Sequence, residues 1–194
     1  MNTFFSEANH QLMSFCRNDD GFAVDYTNQS GSSRGVELSK AVPKDIGFFR
    51  LVNQAQIDFW GVNFEKCHSL FADASENCEC MFVAKSAKNL KWACLVELKY
   101  CQDSERNIID NADKAKTQLV NTLSVLLKRK ILNTEGYKIY LNISIPESAK
   151  IPFTNFLTTP DFVLNAKKDR VALYGFNKLK IFNSSFLIPE KVRV

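Results

Sequence analysis

Two apolar runs and one apolar stripe organise the middle of the chain. Residues 79–85, ECMFVAK, and 90–100, LKWACLVELKY, are dense in aliphatic and aromatic residues and predict strands. The connection between them, SAKN, is short and polar, so the two predict an antiparallel hairpin. Past residue 104 the period changes. Ile108, Ala112, Ala115, Leu119, Leu123 and Leu126 step by four, three, four, four and three, which is one stripe on an α-helix. Asp103 or Ser104 can cap its start, and Glu105 suits the positive end of its dipole. Lys128, Arg129 and Lys130 suit the negative end. Residues 136–146, GYKIYLNISIP, return to a strand pattern that Pro146 ends.

The flanks carry weaker patterns. Phe5, Ala8, Leu12 and Phe15 fall at helical spacing and predict a short amphipathic helix over 3–17, stopped by NDDG. TNQSGSSRG (27–35) is a loop by composition. GVELSKAV (35–42) alternates weakly, as a strand does. Residues 47–67, GFFRLVNQAQIDFWGVNFEKC, fit a helix followed by a strand at 57–64, or two strands. In the tail, after PFTNFLTTPDFVL, the segments DRVALYGF and KLKIFNSSFLIP predict short strands, joined as a hairpin through FNK. The order of elements predicts one α/β (α+β) domain over residues 1–194, with a mixed central sheet flanked by helices.

Composition adds a core and a compartment. Of 194 residues 45% are apolar and sixteen are Phe, which predicts an aromatic-rich core. No apolar run approaches the ~18 residues of a membrane span, and the N-terminus lacks the pattern of a signal peptide. The expectation is a soluble, cytoplasmic protein without a membrane partner. Six cysteines show no C-x-x-C pair, and there are only two His, so they read as reduced, small apolar residues. The net charge of +4 is compatible with a polyanionic partner. The basic clusters at 128–130 and at Lys167, Lys168 and Arg170 read as solvated surface. The phenylalanines read as core, because no interleaving of basic and aromatic residues marks a stacking platform. No Gly-rich phosphate loop and no G-x-S-x-G elbow occurs.

One feature conflicts with this picture. Glu97 and Lys99 lie in the most apolar central run, where burying either charge costs several kcal/mol unless it is paired or bound to a metal. Residues two apart on a strand share a face, so the two project side by side. On the preceding strand Glu79, Met81 and Val83 share one face and Cys80, Phe82 and Ala84 the other. A register that brings Glu79 to Glu97 would set two carboxylates against each other. Mg²⁺ or Mn²⁺ would relieve that repulsion, and a lysine beside it could act on a water or on a developing negative charge.

An acid opening one strand, then E-x-K on the next, resembles the PD-(D/E)XK nuclease superfamily. The matching residues are Cys78-Glu79-Cys80-Met81-Phe82 and Leu95-Val96-Glu97-Leu98-Lys99, followed by A-x-x-Q-L at Ala115, Gln118 and Leu119. The resemblance covers roughly residues 57–145. It implies a restriction-endonuclease-like fold and metal-dependent hydrolysis of phosphodiesters in DNA or RNA. It implies Glu79, Glu97 and the backbone carbonyl of Leu98 as metal ligands, Lys99 as the catalytic lysine, and Gln118 reaching back from the helix. The partner implied is nucleic acid, and a homodimer is compatible with it. The chain departs from the family by carrying Glu79 where an aspartate is usual and Cys78 where a proline is usual. A further upstream acid has three candidates, Glu7, Glu37 and Glu65. The departures leave an alternative, a catalytically inactive nuclease-fold module that binds nucleic acid or a protein partner.

Overall fold

The computed structural model describes residues 12–27, 34–65, 67, 70–71, 76–85, 90–101, 104–148 and 170–190. The two central runs form β6 (Cys80–Ala84) and β7 (Lys91–Leu98), paired antiparallel with Cys80 opposite Val96 and Phe82 opposite Cys94. The stripe forms α1 (Glu105–Lys128), capped by Ser104, whose Oγ accepts from the Asn107 N–H at 3.3 Å. All six stripe residues are buried. The chain then enters β8 (Tyr137–Ser144), parallel to β7, so α1 is the crossover between them.

The remaining strands are β1 (Leu12–Phe15), β2 (Gly21–Asp25), β3 (Val36–Ser39), β4 (Phe49–Val52), β5 (Phe59–Asn63), β9 (Val171–Gly175), β10 (Lys178–Ile181) and β11 (Leu187–Pro189). They complete two mixed sheets, one in the order β1-β5-β6-β7-β8-β9 and one in the order β11-β10-β4-β2-β3. The fold is therefore α+β. Strand parity decides what covers each face of the larger sheet. Met81, Val83, Ala93, Leu95, Ile139 and Leu141 share a core with the α1 stripe. Phe82, Trp92, Cys94, Val96 and Tyr140 pack instead with Phe49, Leu51, Leu179 and Ile181 of the smaller sheet. Each fully buried large apolar side chain contributes ~1.5–3 kcal/mol before conformational entropy is subtracted. The second face is thus covered by a sheet rather than by the expected helix. The layers approach closely at Gly61, where a Cβ would stand 2.8 Å from Leu38 and 2.9 Å from Phe15.

Three local expectations change. Leu12–Phe15 is a strand, not the end of a helix; residues 3–11 lie outside the described residues. Phe15 stacks on Phe59 with ring centroids 4.6 Å apart, and pairing with β5 outweighs the helical spacing. The segment 47–67 resolves into two strands, β4 and β5. β9 and β10 do not form a hairpin: β9 lies parallel to β8, and β10 lies parallel to β4 in the other sheet. Asn177 directs this switch. Its Oδ1 accepts from Ser144 Oγ and from the Ile145 N–H, while its backbone carbonyl accepts from the Arg50 N–H of β4. The connection SAKN, the segment PFTNFLTTPDFVL, and Lys167 and Lys168 lie outside the described residues. Among the described residues, no helix is long and apolar enough to cross a membrane.

Candidate metal and catalytic centre

Continuing the β6–β7 register one step beyond Cys80 and Val96 sets Glu79 opposite Glu97. Both lie on the parity of Met81, Val83, Ala93 and Leu95, the face that α1 covers. The Lys99 N–H donates to the Ser144 carbonyl at 2.8 Å, so the backbone of Lys99 faces β8. Leu98, one residue back, therefore turns its peptide groups toward β6, past the point where that strand ends. Its N–H donates to Glu79 Oε2 at 2.8 Å. Lys99 Nζ donates to Glu97 Oε1 and, at 2.8 Å, to Gln118 Oε1.

Helix spacing fixes the other half of the site. Gln118 Nε2 donates to the Asn77 carbonyl at 3.3 Å. One turn on, Thr122 Oγ1 accepts from the Cys78 N–H and donates to the Gln118 carbonyl, each at 2.8 Å. The segment entering β6 is thus held to α1 by Gln118 and Thr122. Glu79, Glu97, Lys99 and Gln118, the four side chains singled out in the sequence, meet in one place. Gln118 is half-buried and bonded at both ends of its amide.

Burial dominates the electrostatics. Glu97 is fully buried, and its Oε2 receives no donor in the described structure. Glu79 is half-buried as a residue, with its carboxyl directed inward. Its pKa stands well above the ordinary 4.5, first through burial, then through the negative charge of Glu97. Glu97 is also raised by burial, but hydrogen bonding from Glu79 and the Lys99 charge oppose that rise. Burial and the neighbouring charge thus disfavour the ionised form of Glu79 more strongly than that of Glu97, which Lys99 supports. Burial alone would lower the pKa of Lys99; Glu97, Glu79 and Asp25 outweigh it and raise the group above its ordinary value.

Two of the three upstream candidates are engaged elsewhere. Glu37 forks onto Arg34, and Glu65 Oε2 accepts from the Val36 N–H at 2.7 Å. Glu7 lies outside the described residues. Asp25, at the end of β2, is buried, and its charge acts on Glu97, Lys99 and Tyr100. Tyr100 Oη accepts from the Asp25 N–H at 3.3 Å and donates to the Gly47 carbonyl at 2.8 Å, fixing the small sheet beside the site. The short apolar run Phe22-Ala23-Val24 was the available signal for this strand.

Among the described residues, no three His, Cys, Asp or Glu side chains gather into a metal cage. The donors at hand are two carboxylates and a peptide carbonyl, a hard-oxygen set of the kind Mg²⁺ or Mn²⁺ accepts while keeping several waters. The carboxylate repulsion and the orphaned Glu97 Oε2 are what such a cation would satisfy. Comparison with protein-family models, curated proteins and solved structures finds no match for this chain.

Proposed function

We propose that this chain is a metal-dependent phosphodiesterase of the PD-(D/E)XK type, with a restriction-endonuclease-like core, acting on DNA or RNA. The observation that carries the reading is the meeting of Glu79, Glu97, Lys99 and Gln118 at one end of a mixed sheet. In this reading Glu79, Glu97 and the Leu98 carbonyl hold Mg²⁺ or Mn²⁺, and the ion supplies Lewis-acid polarisation of a phosphoryl oxygen.

The chain's own residues do the rest. Lys99 keeps 20% of its side chain exposed while Glu97 is fully buried, and in this reading its ammonium meets the substrate phosphate. It stabilises negative charge growing on the phosphoryl oxygens. Glu97 and Gln118 hold it from two sides, and the Asn77 carbonyl holds Gln118. The net reaction joins a water oxygen to phosphorus, breaks one P–O ester bond and returns a proton to the leaving oxygen.

One observation favours the second reading, an inactive nuclease-fold module. Lys99 already neutralises Glu97, so that buried charge has its counter-ion without a cation. Incubation with a panel of single- and double-stranded DNA and RNA, with Mg²⁺ or Mn²⁺, separates the two. Cleavage that disappears with chelator and in Glu97→Gln supports the enzyme. Binding without cleavage under either metal supports the module.

A further inference from the structure

The end of the molecule opposite the metal site gathers cations and exposed rings from segments far apart in the chain. Because β8 runs parallel to β7, α1 returns along the sheet and its C-terminal turn lies at the end where both strands begin. Lys128 and Arg129 are exposed there. Lys91 opens β7 and donates its N–H to the Gly136 carbonyl at the approach to β8, and Lys138 follows on β8. The turn between β10 and β11 closes over the same end. Ser185 Oγ donates to the Leu90 carbonyl at 2.7 Å, and the Leu187 N–H donates to Tyr140 Oη at 3.1 Å. This turn holds Phe182 at 63% exposure and Phe186 at 41%, with Lys138 Nζ 4.8 Å from the centre of the Phe186 ring. Among the described residues, no carboxylate pairs with Lys91, Lys128, Arg129 or Lys138. Lys130 and Glu135 share this end and have interactions of their own.

We propose that this end binds single-stranded nucleic acid, with bases stacked on Phe182 and Phe186 and phosphates held by Lys138, Lys91 and the last turn of α1. The proposal extends the nucleic-acid reading above, from which it takes the class of partner. Rings on a turn tip stack on unpaired bases, whose faces are open, and not on the closed stack of a duplex. Lys138 beside the Phe186 ring sets a cation next to a stacking face. The surface lies the length of β7 away from Lys99, roughly 25 Å. It therefore serves to retain a strand rather than to act on it.

The test is fluorescence anisotropy of the full chain with labelled oligothymidylate of about twenty nucleotides, in chelator, so that cleavage plays no part. Single strand should bind more tightly than duplex of equal length. Phe186→Ala and Phe182→Ala should each weaken binding about five- to a hundredfold. Lys138→Ala and Arg129→Ala should each reduce the salt slope by about 0.7. All four side chains lie at the surface, and circular dichroism verifies that each variant is folded. Phe186→Ala should leave metal-dependent hydrolysis of bis(p-nitrophenyl) phosphate unchanged, so failure at the metal site and failure at this surface are read separately. Equal binding by the ring variants, no binding by the natural chain, or binding only to anionic phosphatidylserine vesicles would overturn the proposal.

Discussion

Replacing Glu79 by Gln should make the metal-free protein more stable at neutral pH while removing a ligand from the proposed metal site. In the natural chain Glu79 Oε2 accepts from the Leu98 N–H, and its carboxyl is buried against the negative charge of Glu97. The unfolded carboxyl ionises near 4.5, and the folded one well above it. The stability this group lends is therefore complete below pH 4.5 and is lost as pH rises toward the folded value. The loss is ~1.4 kcal/mol per pH unit for as long as the folded carboxyl keeps its proton. A glutamine needs no proton: its oxygen can accept from Leu98 and its NH₂ can donate to the orphaned Glu97 Oε2. The difference in stability between variant and natural chain should thus grow with pH and then level off, exceeding ~1 kcal/mol by neutral pH. Urea-unfolding midpoints in chelator, between about pH 5 and pH 8, measure it. Parallel pH profiles for the two proteins, or a variant less stable throughout, would refute the reasoning.

Lys99→Ala should cost about 3–5 kcal/mol at neutral pH, because it strands the buried Glu97 charge. Adding Glu97→Gln to it should recover more than half of that loss in the same urea assay. Thr122→Val leaves the Cys78 N–H without its acceptor and should cost about 2 kcal/mol, seen as a fall of about 4–8 °C in Tm. If the methylene of Glu79 has detuned the centre, Glu79→Asp should cleave nucleic acid faster than the natural chain; equal or slower cleavage would count against that idea.

What the sequence showed and what it hid follow from the range of the interactions. The Ile108–Leu126 stripe and the parity of Glu97 and Lys99 are local periodicities, so helix and shared face were legible residue by residue. The meeting of Glu79 with Glu97 required only a short hairpin register, whereas Gln118 entered through the resemblance of A-x-x-Q-L and not through any periodicity. Asp25 was hidden because its strand reaches the site only through the packing of one sheet on another. Likewise, β10 pairs with β4, so Lys178 sits opposite Arg50 across most of the chain, and no local pattern announces it. The helical spacing of Leu12 and Phe15 misled for the same reason: the stacking of Phe15 on Phe59 is a tertiary contact. Phe182 and Phe186 counted as core by residue type, although the turn that carries them leaves both rings exposed.

Everything proposed for this site depends on Glu79 and Glu97 seating a divalent cation beside Lys99. Calorimetric titration of Mn²⁺ into the metal-free full chain tests it most directly. Saturable binding is expected, and Glu97→Gln and Glu79→Gln should each weaken it strongly in variants that remain folded. Binding heats unchanged in both variants, or no binding by the natural chain, would contradict it.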